Sequence, residues 1–121
     1  MNALLLLAED EPMIGRILEH KLVREGHAVT WVRDCGSLAA ALDGGDVDIA
    51  LVDVTLDRDG VEFMASLAKT PRCGWVAMAE QRDTVAQQRA RDAGAAAVVV
   101  KPFKPTAVAA LVLDLLERAA V

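Results

Sequence analysis

Glu9, Asp10, Asp53 and Lys101 are the residues whose types could do chemistry together, and each stands where a short apolar run gives out. Asp53 closes the run Ile49-Ala50-Leu51-Val52. Glu9-Asp10-Glu11 follows Leu4 to Ala8, and Lys101-Pro102 follows Ala95 to Val100. Carboxylates a few Å apart repel, so they either raise a pKa or bind a cation. Hard oxygen ligands select Mg²⁺, Mn²⁺ or Ca²⁺ over zinc. A lysine beside them weakens cation binding unless an anion arrives too. Carboxylates, a divalent cation and a lysine together therefore describe a site for a phosphoryl group, in which one carboxylate can attack phosphorus. Each piece also has a plainer reading. The acidic triplet suits a helix N-terminus, Asp53 suits a turn or a cap, and Lys101 suits a solvated loop. Their shared placement at the ends of three apolar runs is what favours a site.

The elements that must position these residues follow from periodicity. Ala3 to Ala8 is short and nearly all apolar, the pattern of a strand covered on both faces, and the strand reading extends back to Met1. Pro12 fits the first turn of a helix whose inner face carries Ile14, Ile17, Leu18 and Leu22, with Gly26 as its stop. His27 to Val32 alternates as a partly exposed edge strand. Asp34 or Ser37 can cap a short helix carrying Leu38, Ala41 and Leu42, which Gly44-Gly45 ends. Val47 to Asp53 is a third strand, Asp57 to Gly60 a turn, and Val61 to Lys69 a helix with Phe63, Met64 and Leu67. Cys73 to Ala79 is a fourth strand. A polar helix over 81–93 follows, with Val85, Ala86, Ala90 and Ala93 as its inward candidates. Ala95 to Val100 is the fifth strand, and Pro105 opens a last helix carrying Val108, Leu111, Val112, Leu115 and Leu116. Strands alternating with helices through short connections imply a parallel sheet with helices on both faces. Ligands of such sheets gather outside the carboxyl ends of the strands, where Glu9, Asp10, Asp53, Ala79 and Lys101 all fall.

A length of 121 residues suits one domain with a real core. The apolar residues are mostly Ala, Leu and Val, and aromatics make up only 3%, which suits helices packed closely on a sheet better than a β-sandwich. The apolar runs fall short of the roughly 20 residues a membrane span needs. No basic region precedes the first of them, so a secretory signal is not expected. A net charge of −5 argues against nucleic-acid binding driven by bulk electrostatics. Cys35 and Cys73 are far apart and read as free thiols in a reducing cytosol.

Two motif readings fail. Asp57, Asp59 and Gly60 imitate part of a calcium loop, but its first ligand position would be Thr55 and its closing position Ser66, which argues against an EF-hand. The first strand–helix turn has no glycine-rich cradle, and a nucleotide phosphate there would meet Glu9-Asp10-Glu11.

From Met1 to Val121 the chain resembles a response-regulator receiver domain of two-component signalling. The motifs that carry the resemblance are Leu-Leu-Leu-Ala-Glu-Asp-Glu-Pro at residues 5–12, Val-Asp-Val-Thr-Leu at 52–56 with Asp59-Gly60, Ala93-Gly94-Ala95, and Val100-Lys101-Pro102-Phe103. The resemblance implies a flavodoxin-like (βα)5 three-layer sandwich with a parallel five-stranded sheet of order 2-1-3-4-5, in a single receiver domain over 1–121 with no output domain in this chain. It makes Asp53 the phospho-acceptor. Asp10, Asp53 and the backbone carbonyl of Thr55 would bind Mg²⁺ (or Mn²⁺), with Glu9 acting mainly through water. Lys101 would pair with the phosphoryl group, and the Lys101–Pro102 bond would be cis. The donor would be a sensor histidine kinase or histidine phosphotransfer protein. Effectors or a second copy would use the face made by the fourth helix, fifth strand and fifth helix, where Arg82, Arg89 and Arg91 stand. The resemblance also implies a cytoplasmic protein that phosphorylates and dephosphorylates itself rather than turning over an external substrate, with no direct contact with nucleic acid or membrane.

The departures from the family pattern bear on signalling. Receivers usually carry Thr or Ser at the end of strand 4, and Tyr or Phe three residues before the lysine. Here Ala79, or Met78 after a one-residue shift, and Val98 occupy those switch positions. The loop from Asp53 to Gly60 is one residue shorter than usual and lacks its proline. The usual coupling of hydroxyl to aromatic rotamer cannot operate as such. One alternative is a receiver-fold interaction module independent of phosphorylation. A phosphohydrolase acting on external substrates is disfavoured, because Asp53-Val54-Thr55 lacks a second Asp two positions on.

Overall fold

Period-two burial within each strand sorts the side chains of the sheet onto two faces, and the helices divide accordingly. The computed structural model describes residues 2–120, so Met1, at the start of the first predicted strand, lies outside them. The elements are β1 (Leu4–Ala8), α1 (Pro12–Arg24), β2 (Ala28–Val32), α2 (Cys35–Asp43), β3 (Ile49–Asp53), α3 (Gly60–Ser66), β4 (Trp75–Glu80), α4 (Thr84–Asp92), β5 (Ala97–Lys101) and α5 (Pro105–Ala119). All strand pairs are parallel, in the order β2-β1-β3-β4-β5. This is the expected flavodoxin-like sandwich.

Leu5 and Leu7 of β1, Ile49 and Leu51 of β3, and Val76 and Met78 of β4 pack with Leu18, Leu22, Val108, Val112 and Leu116 of α1 and α5. The alternate residues Leu6, Ala8, Ala50, Val52, Ala77 and Ala79 pack on the other face with Leu38, Leu42, Met64, Ala86 and Ala90 of α2, α3 and α4. Alanines on both β4 and α4 let that helix lie close to the sheet. The central strands β1 and β3 are buried almost throughout, as their unbroken apolar runs imply, whereas the edge strand β2 is half-exposed.

Several expected details shift. The buried face of α1 is Gly15, Leu18 and Leu22, while Ile17 is 45% exposed. On α4 only Ala86 and Ala90 are buried, and Val85, expected inward, is 69% exposed. Helix α3 ends at Ser66, three residues before Lys69, because Leu67 turns extended (ψ 134°). Strand β4 starts later than Cys73 and runs one residue past Ala79 to Glu80. Of the two candidate caps of α2, Asp34 takes the role, accepting from the Ser37 amide at 2.7 Å.

Candidate functional site

Parallel pairing brings the carboxyl ends of β1, β3, β4 and β5 to one edge, since Ala8 is opposite Val52, Asp53 opposite Met78, and Glu80 opposite Lys101. Asp53 is the last residue of β3 and Lys101 the last of β5, and Glu9 is the first residue beyond β1. Residues 92 positions apart thereby meet: the Lys101 ammonium donates to Glu9 Oε1 at 2.7 Å and to Asp53 Oδ2 at 2.5 Å. Carboxylate oxygens of Glu9, Asp10 and Asp53 lie within 4.8 Å of one another. Glu9, Asp53 and Lys101 are buried, whereas Asp10 is exposed.

The backbone holds these side chains in place. Asp53 Oδ1 accepts from the Thr55 amide at 2.8 Å, which fixes the start of the loop into α3. The loop closes at Gly60, whose amide donates to the Val54 carbonyl at 2.8 Å. A side chain at Gly60 would strike the Asp53 carbonyl, so only glycine lets the two backbones pass this closely. Glu9 Oε2 accepts from the Asp10 amide at 3.1 Å. Glu11 caps α1 through the Ile14 amide at 2.8 Å, so the acidic triplet serves both the cluster and the helix. The Lys101–Pro102 bond is cis, as expected.

Burial, and then the neighbouring Asp53, push the Glu9 carboxyl up to about 7, against the pull of Lys101. Burial alone would lower the Lys101 pKa, but hydrogen bonds to Asp53 and Glu9 outweigh it and the pKa rises. One ammonium thus stands against three carboxylates. The residues present fit a divalent cation on this ground: an all-oxygen donor set with excess negative charge, open on the side of exposed Asp10.

A cleft of about 310 Å³ covers the cluster, lined by Asp10, Asp53, Thr55 and Lys101 and also by Glu80 and Asp83. Sequence reasoning left out these last two. Their signals were the position of Glu80 immediately after Ala79 and of Asp83 as the cap of α4, accepting from the Ala86 amide at 3.0 Å. Met78 faces the α1/α5 side, whereas Ala79, 1% exposed, lies on the other face, in the same core as Ala86 and half-buried Val98. Neither Ala79 nor Val98, expected at the switch positions, carries a hydroxyl or an aromatic ring.

Two further contacts were missed. Arg89 of α4 forms an ion pair with Asp59 at 2.8 Å, the residue that caps α3 through the Val61 and Glu62 amides. The Trp31 indole donates to the Glu9 backbone carbonyl at 2.9 Å.

The sequence model of the response regulator receiver domain matches residues 5–113. The transcriptional regulatory protein TcrA of Mycobacterium tuberculosis is 39% identical over 101 residues, covering 82% of this chain and 40% of that protein. QseB of Haemophilus influenzae, also named a transcriptional regulatory protein, is 32% identical over 116 residues, covering 94% of this chain and 52% of its own length. The chain thus spans about half the length, or less, of these curated relatives. Among solved structures, the receiver domain of the Francisella response regulator 1452 superposes with a TM-score of 0.87 at 19% identity, covering 97% of this chain and 98% of that one. NtrX of Brucella abortus superposes at 0.90 with 23% identity, covering 99% of this chain and 28% of that one. At these identities the structural likeness is one of fold.

Proposed function

Because the chain belongs to the response regulator receiver domain family, we propose that it is a phospho-accepting receiver of a two-component phosphorelay, with Asp53 taking a phosphoryl group from the phosphohistidine of a sensor kinase or phosphotransfer protein. An Asp53 carboxylate oxygen attacks phosphorus, the P–N bond breaks, and its electron pair stays on the departing imidazole. Lys101, already at Asp53, moves onto the phosphoryl oxygens and balances their charge. Asp10, Asp53 and the Thr55 carbonyl would hold Mg²⁺ or Mn²⁺, with Glu9 acting mainly through water, and the ion would supply neutralisation of the phosphoryl oxygens. The observation that carries this reading is the single ammonium shared by Glu9 and Asp53 inside a carboxylate cluster at the strand ends. The protein accepts and loses its own phosphoryl group rather than turning over an external substrate. As a cytoplasmic receiver it would signal through the α4–β5–α5 face to an effector or a second copy.

Incubation with Mg²⁺ and a small phosphodonor, or with the cognate kinase, is expected to add one phosphoryl mass, and Asp53→Ala to abolish it. Absence of an adduct from both donors refutes the reading. Ala79 and Val98, which bring neither a hydroxyl nor an aromatic ring to the switch positions, favour one alternative, a receiver-fold interaction module that works without phosphorylation. Partner affinity indifferent to Asp53→Asn and to a phosphoryl mimic would select it.

A further inference from the structure

Trp31, the penultimate residue of the half-exposed edge strand β2, reaches the backbone of Glu9 in the carboxylate cluster. Trp31 lies across α1 at Gly15, where any side chain would collide with the indole ring. Mid-helix glycine costs roughly 0.5–1 kcal/mol relative to alanine, and here it makes room for the ring. The Arg33 guanidinium lies over the ring, 4.8 Å from its centroid. So held, the indole N–H donates to the Glu9 carbonyl at 2.9 Å. The Glu9 amide donates in turn to the Val32 carbonyl at 3.1 Å. Both peptide units flanking the Glu9 Cα are therefore tied to the end of β2.

The second of those units matters more. The Glu9 carbonyl and the Asp10 amide belong to one rigid plane. That amide donates to Glu9 Oε2, and Glu9 Oε1 receives Lys101. A hydrogen bond on one edge of the plane thus orients the Glu9 carboxylate on the other edge, and sets the direction in which Asp10 leaves it. We propose that Trp31 is a positioning residue for the cation site: its indole N–H fixes the Glu9–Asp10 peptide, so that both carboxylates face Asp53. The proposal rests on the phospho-acceptor reading for the site's purpose. Outer partners of this kind, acting through the ligand they orient, are typically worth 10–100-fold in metal affinity.

The test replaces Trp31, in the full chain, by Trp31→Phe and by benzothienylalanine, an isostere with sulfur where the indole has N–H. Mg²⁺ alone is titrated calorimetrically, and the indole N–H resonance of the unmodified protein is followed by NMR. The expected result is Mg²⁺ affinity lower by about 10-fold in both variants, an isostere that melts near the unmodified protein, and a Trp31 indole resonance that moves as Mg²⁺ is added. Unchanged Mg²⁺ affinity in the isostere overturns the proposal, even if Trp31→Phe is less stable, because packing alone would then explain the residue. Mg²⁺ binding in neither the unmodified protein nor the variants overturns the phospho-acceptor reading and this proposal with it.

Discussion

Lys101 is the residue on which the carboxylate cluster depends. It is the one cation among the described residues that contacts Glu9 and Asp53, and its side chain is 10% exposed. Removing one partner of a buried ion pair is far more costly than removing the pair, typically 3–5 kcal/mol, since an uncompensated charge stays behind. The adjoining cleft admits water, which places Lys101→Met near the low end, at about 3 kcal/mol of lost stability. Urea unfolding measures this, and Mg²⁺ is expected to recover part of the loss; a variant as stable as the parent without Mg²⁺ would show that the ion pair contributes nothing. His27 offers a pH test away from the site. It is buried in the turn between α1 and β2, its Nδ1 has no partner among the described residues, and burial holds its pKa below the ordinary 6.5. The unfolded chain therefore takes up this proton more readily than the folded one. The contribution is intact above 6.5 and is lost as pH falls from there through the lower folded pKa. His27→Leu should flatten that part of the thermal-stability profile, and an unchanged slope would assign it to other groups.

Among the elements, α1 and α4 mark how far periodicity reaches. Offsets of three and four residues located both helices, yet chose Ile17 and Val85 as inward, and both are exposed. A short helix accommodates several phases, and tertiary partners select one. For α1 the partner is Trp31, which centres the buried face on Gly15, a residue no hydrophobic pattern would pick. This makes Gly15→Ala diagnostic. Helix propensity alone would stabilise it by up to about 1 kcal/mol, but the added methyl must displace the indole, and overpacking costs ~1–3 kcal/mol. Net destabilisation with a red-shifted, more exposed tryptophan emission is expected; a more stable variant would mean the indole yields freely. On α4 the Arg89–Asp59 pair links the helix to the cap of α3, but both side chains are more than a third exposed. Exposed pairs are worth about 0–1 kcal/mol, so Arg89→Ala should shift stability by less than that in a denaturation series, and a larger loss would imply that the pair orders the loop from Asp53.

For the molecule as a whole, the sequence revealed most of what recurs along the chain and little of what depends on distant neighbours. Strand order was legible through the resemblance to receiver domains, and the shared edge of the strand ends and the gathering of Glu9, Asp10, Asp53 and Lys101 were legible because parallel topology sends every strand's carboxyl end to the same side. The roles of Glu80, Asp83 and Trp31 were not. They depend on which distant loop or side chain meets the cluster, and no local pattern encodes that. The same geometry couples the site to global stability. Its donors come from the ends of β1 and β3 and its lysine from β5, so the cluster exists only when strands across the sheet are paired. A cation bound there favours the folded chain by mass action, by about 2.7 kcal/mol when Mg²⁺ is 100-fold above its dissociation constant. Thermal unfolding with increasing Mg²⁺ should show a midpoint that climbs with the logarithm of concentration. The double variant Asp10→Asn, Asp53→Asn, which removes a carboxylate from each of two strand ends, should show no climb. A Mg²⁺-independent midpoint in the unmodified protein would place the cation elsewhere. A climb that survives in the double variant would mean that nonspecific screening of the net charge of −5, rather than this cluster, is what the ion relieves.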